Sequence, residues 1–219
     1  MIFEPDAIEK MIMFWNTAEA NTAGVGFNII NTPSYRQSFF SSLLLMTPSM
    51  QGRVLTSGYN MPIQNVKEDI QTQWLGGGYT IWKRWVLGKF IQDNLNTRWA
   101  TGEDLRFSYP IGKKYPLYVC AAAKVHHDHI YDQILNKTIH RYIGRKGSLG
   151  FFYFVSSHPE LSNFACLGML TGMAIANFVY GFATFSSRKL GNALGQAEAI
   201  LICLKALIGS TNLRKELED

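Results

Sequence analysis

A chain of 219 residues holds one domain, or one domain with a membrane element, and its 17% charged share beside 47% hydrophobic residues is lean for an ordinary soluble domain. The net charge of +5 suits nucleic acid, an anionic lipid surface or an acidic protein, and does not choose among them. Three cysteines, Cys120, Cys166 and Cys203, with no CxxC spacing, exclude a disulfide framework and a cysteine zinc site.

The segment from Met1 to Trp15 carries Glu4, Asp6 and Glu9 where a secretory leader would carry cations, so no signal peptide is expected there. Pro5 to Ala20 reads as a helix. Pro5 fits an early helical position, Asp6 and Glu9 favour the positive end of the dipole, and Ile8, Met11, Ile12 and Trp15 recur on one face. Asn21 to Pro33 reads as loop because of Gly24, Gly26 and Pro33. Phe39 to Met46 is an apolar run too short to cross a bilayer, and Pro48 to Pro62 is loop-like.

Val66 to Trp74 and Tyr79 to Leu95 read as two helices separated by Gly76-Gly77-Gly78, and Thr101 to Pro116 reads as loop. Leu117 to Val125 is either a strand or the start of a buried helix. Ile130 to Tyr142 predicts a helix that ends near Gly144, and Phe151 to Val155 forms an aromatic patch.

The segment with most information is Phe164 to Phe185. It is free of charge, His and Pro, and no charged residue occurs between Glu160 and Arg188. At 1.5 Å per residue it reaches about 33 Å, close to a hydrocarbon core of roughly 30 Å. One spanning helix is therefore expected. Gly168, Gly172 and Ala176 repeat at four-residue spacing, which lets another helix approach closely, and Asn177 offers that neighbour a hydrogen bond. Leu190 to Ile208 carries Asn192, Gln196, Glu198 and Lys205, and reads as an amphipathic helix beside the membrane. The expected architecture is mainly α. It has an extramembrane region over 1–160 that is irregular and rich in aromatics, a transmembrane helix over 161–187, and an amphipathic helix with a charged tail over 188–219.

Two sets of residues suit lipid headgroups: Trp82, Lys83, Arg84, Trp85 and Lys89, and the pair Arg188 and Lys189 after the span. The first set also suits stacking on single-stranded nucleic acid. The string Ile143-Gly144-Arg145-Lys146-Gly147 resembles the GxxG clamp of KH domains, a resemblance of five residues that implies a loop gripping a nucleic-acid backbone. His126, His127 and His129 cluster with Asp132, and His127, His129 and Asp132 are the candidate ligands should a divalent metal bind there. No catalytic set and no cofactor motif stands out. Together these features lead to the expectation of a non-enzymatic accessory subunit of a large membrane complex, one of the mitochondrial inner membrane in the first instance. Its partners would be other subunits and anionic lipid. An RNA-binding protein and a metal-dependent enzyme are the alternatives.

Overall fold

The computed structural model describes residues 1–31, 51–90, 95, 102–127 and 137–218. The protein is mainly helical, with a five-stranded mixed sheet built by its first 126 residues and a helical bundle built by the rest. The apolar run Phe39 to Met46 lies outside the described residues.

The sheet contains β1 (Ile2–Phe3), β2 (Gly24–Ile29), β3 (Ile70–Thr72), β4 (Thr80–Trp82) and β5 (Leu117–His126). Its order is β1-β5-β2-β4, with β3 on the same flank of β5 as β1. Helix α1 (Ala7–Thr17) forms where the sequence predicts it and packs on β5. Its inward face is narrower than expected. Ala7 and Met11 are buried against Val25, Phe27 and Val125, whereas Ile8 and Ile12 face outward.

The expected loop at 21–33 is instead the central strand. All six residues of β2 are buried, running parallel to β5 and antiparallel to β4. Gly24 is there for packing and not for a turn: a Cβ at that position would lie 2.6 Å from the Trp82 ring. At a shift in the parallel register, the Asn28 amide donates to the carbonyls of Val66 and Ala121 and accepts from the Val66 N–H, which satisfies backbone groups that the ladder misses.

The two helices expected at 66–74 and 79–95 are also corrected. Ile70 to Thr72 pairs with β5, and Thr80 to Trp82 pairs with β2. Both segments are rich in β-branched or aromatic residues, which fit a pleated half-buried surface. Among the described residues, α2 (Arg84–Lys89) is what survives from the second prediction. Conversely, the expected loop 101–116 contains α3 (Glu103–Gly112), with two acids in its first turn. Pro110 lies inside this helix near its C-terminal end, where it leaves the Arg106 carbonyl without its i−4 donor.

The bundle consists of α4 (Lys137–Ser156), α5 (Asn163–Ala183), α6 (Ser187–Leu207) and α7 (Leu213–Glu218). Helix α4 does not end near Gly144. It runs through Gly144 and Gly147 into the aromatic patch, so the GxxG string is helical and forms no loop. A Cβ on Gly144 would meet the Asn192 carbonyl oxygen at 2.5 Å, and one on Gly195 would meet the Arg141 carbonyl oxygen at 1.9 Å. The backbones of α4 and α6 thus touch, a contact that only glycine permits.

Helix α3 and the bundle share one core, and the strands pack in two other clusters. Leu105 and Tyr109 of α3 pack with Leu149, Phe152 and Phe154 of α4, Leu170 of α5 and Cys203 of α6. Tyr109 and Phe154 meet edge to face at 5.3 Å.

Candidate functional site, the apolar face of the helical hairpin

Helices α5 and α6 are both long and apolar enough to cross a membrane, where the sequence predicts one span followed by an amphipathic helix. Only 33% of the apolar window of each is buried, unlike the core helix of a soluble protein. The Ser162 hydroxyl caps α5 by accepting from the Ala165 N–H at 3.2 Å. Ser186 caps α6 in the same way, accepting from the Lys189 N–H at 3.4 Å.

Between the helices the chain reverses through Phe185, whose φ of +52° lies in the left-handed region. The Ser186 N–H then returns to the Gly181 carbonyl at 2.9 Å, a helix-ending bond in which glycine usually holds the left-handed position that Phe185 takes here. A phenylalanine here carries backbone strain, and its ring is 89% exposed.

The inner face of the hairpin is formed by Cys166, Met169, Leu170 and Gly181 of α5 with Ala199 and Cys203 of α6. Its side chains make a polar contact, a 3.0 Å bond from the Asn177 amide to Gln196 Oε1. Asn177 therefore satisfies the expectation of a cross-helix bond, and its partner is the chain's own second helix. The small-residue ridge divides. Gly172 is buried, but Ala176 is exposed and a Cβ on Gly168 would meet nothing within 4 Å. α6 does not use Gly168 or Ala176, and both lie on the outer surface.

That outer surface has its own periodicity. Phe164, Gly168, Thr171, Ile175, Phe178, Phe182 and Phe185 are all exposed and alternate at four- and three-residue spacing. Such alternation keeps one stripe on one side of a helix for its whole length. The spacing is visible in the sequence, but it can be told from the inner face only when α6 is placed. A shorter stripe follows on α6 with Leu194, Leu201, Leu204 and Ile208.

Arg188 and Lys189 sit at the hairpin tip, and Lys189 Nζ lies 5.8 Å over the Tyr180 ring. The other expected headgroup set is on a different element. Trp82 belongs to β4 and packs edge to face on Phe107 at 5.2 Å. Lys83 lies 5.0 Å over the Trp15 ring. Arg84 is exposed, and Trp85 packs on Tyr115 at 4.7 Å. Lys89 donates to the Tyr115 hydroxyl at 2.6 Å and lies 6.0 Å from the Trp85 ring centre. The structure thus joins Trp85 and Lys89 through Tyr115, which sequence reading missed.

Among the described residues, no group of three or more His, Cys, Asp or Glu side chains is placed to hold a metal. The backbone of His127 exchanges hydrogen bonds with the Asn31 side chain, and His126 contacts Glu4 at 2.7 Å. His129 and Asp132 lie outside the described residues.

No protein-family model matches the chain, and comparisons with curated proteins and with solved structures gave no match.

Proposed function

We propose that this protein is a structural, membrane-associated subunit that attaches to its membrane through the α5–α6 hairpin and presents its sheet to neighbouring subunits. The observation that carries this reading is the outer face of α5. Over twenty-one residues it has no charge, and Ile175, Phe178, Val179 and Phe182 are each more than half exposed. Contiguous apolar surface of this kind on a soluble monomer would favour aggregation, whereas acyl chains cover it at a gain of about 1.5–3 kcal/mol per large side chain. The internal bond between Asn177 and Gln196 supports the same reading, since lipid offers no partner to a free amide.

The test is flotation with sealed vesicles, followed by carbonate extraction of native membranes and a mild-detergent pull-down. Association is expected to weaken but persist in high salt and to fall at least tenfold in Phe178→Asp, with only a small loss of thermal stability because that side chain is more than half exposed. A protein that stays wholly in the supernatant of the flotation assay would end this reading.

A further inference from the structure

We infer that the hairpin engages one leaflet of an anionic phospholipid membrane, with α5 lying in the plane of the interface and not crossing the bilayer. This rests on the membrane reading above and specifies its geometry and its lipid.

The argument begins with what backs the hairpin. Helix α6 packs against both α5 and α4, while α5 and α4 touch only lightly, so α6 lies between them. The side away from α5 is polar. Glu198, at the middle of α6, forms an ion pair with Arg141 of α4. Arg145 pairs with Glu216 at 3.0 Å, and buried Lys146 donates to two carbonyls at the end of α7. If the hairpin crossed a bilayer end to end, the middle of α6 would lie at the bilayer centre. The paired Arg141 and Glu198, Lys146 and the charged helix α7 would then enter the hydrocarbon with it. Ionisable groups are strongly disfavoured there unless protein encloses them. Arg141 is exposed on the surface of α4, so it is not enclosed.

Turning the bundle so that α5 lies flat removes this conflict. The stripe from Phe164 to Phe185 then faces the acyl chains along its full length, and α4 with α7 stays in water. Arg188 and Lys189 come to the level of the headgroups, where phosphates complement them. The backbone strain at Phe185 has an account in this arrangement: a glycine would close the turn more easily but would leave no ring to insert.

The full-length protein is bound to sealed vesicles of phosphatidylcholine with one quarter phosphatidylglycerol. Ser187→Cys places a thiol at the exposed hairpin tip, and the three native cysteines are buried. The in-plane arrangement predicts that a membrane-impermeant maleimide added outside modifies this thiol to completion before detergent is added. A fluorophore on Ile175→Cys should be quenched more by shallow than by deep nitroxide lipids. Arg188→Glu/Lys189→Glu should weaken binding about tenfold or more. A tip thiol protected until detergent, with deep quenching at position 175, would overturn the in-plane geometry while leaving membrane attachment intact. Equal binding to vesicles without phosphatidylglycerol would overturn the anionic headgroup contact. If wild-type protein does not float at all, both this inference and the membrane reading fail.

Discussion

The Lys146 ammonium donates to the Leu217 carbonyl at 2.8 Å, and this bond fastens the C-terminal helix to the middle of α4. Lys146 is 1% exposed, as is Leu217, and a second bond to the Glu216 carbonyl at 2.9 Å completes the contact. The last carbonyls of a helix have no intrahelical donor and carry its negative dipole end, so a cation is the fitting partner.

Lys146→Ala is expected to lower stability by about 2–4 kcal/mol, because it removes charge-assisted bonds, leaves buried carbonyls unpaired and opens a cavity. Urea unfolding measures the loss. Truncation after Gly209 should cost a similar amount, and the double variant should cost little more than either one, since both break the same contact. Full additivity would contradict the latch.

Two glycines should respond in opposite ways. Gly195→Ala forces a Cβ to within 1.9 Å of the Arg141 carbonyl oxygen and 2.7 Å of the Arg145 nitrogen, backbone atoms that cannot move aside locally. It should destabilise by more than about 3 kcal/mol or prevent folding. Gly168→Ala meets nothing within 4 Å and should stabilise α5 by about 0.5–1 kcal/mol through helix propensity. Thermal melts of the two variants, run in parallel, test the placement of both helices.

The bond from Asn177 to Gln196 makes a further prediction. Asn177→Leu leaves the Gln196 carbonyl oxygen buried and unpaired, at a cost of about 1–3 kcal/mol. Adding Gln196→Leu should recover most of it, because an apolar pair has no desolvation debt. A double-mutant cycle by chemical denaturation reads the coupling. No recovery would mean that the amide pair is not formed.

Alkaline pH should weaken the sheet through Tyr79. Burial pushes its phenol up to about 12, the Asp104 carboxylate adds to the rise, and a bond to the Gly76 backbone opposes it. The folded state therefore holds the proton more tightly than the unfolded chain, whose phenol titrates near 10. The stabilisation is fully present below pH 10 and is lost as pH rises through 10 to 12. Tyr79→Phe should flatten the fall in Tm over that window. An unchanged alkaline profile in the variant would exclude Tyr79 as the source.

The sequence makes some elements plain and conceals others for identifiable reasons. Helix α1 and the uncharged α5 are legible from capping residues, periodicity and charge exclusion. The central strand is concealed because Gly24 and Gly26 look like turn residues, when Gly24 in fact makes room for Trp82, a residue that joins it only in three dimensions. The same reversal applies to Gly144, which looks like the edge of a loop and is the point where two helices touch. Glycine signals permission, and a local reading cannot tell whether the permission is for a turn or for a close approach. At the candidate site, the apolar character of α5 is legible, but the division of its faces is not. Gly168 and Ala176 form a packing ridge by spacing, yet α6 arrives on the adjacent face, where Asn177 meets Gln196.

The strand β2 also has a meaning for synthesis. Its residue Asn28 bonds to Ala121, 93 residues further along, and its ladder partner is β5 at the end of the sheet-forming region. At ribosomal speeds of about 5–20 residues per second, an apolar strand with two open edges waits for several seconds before its neighbour exists. The helical hairpin, by contrast, closes through a three-residue turn as soon as it emerges. Strand β2 is therefore exposed longest, and it is the place where a chaperone would hold the nascent chain and where aggregation would start if nothing did.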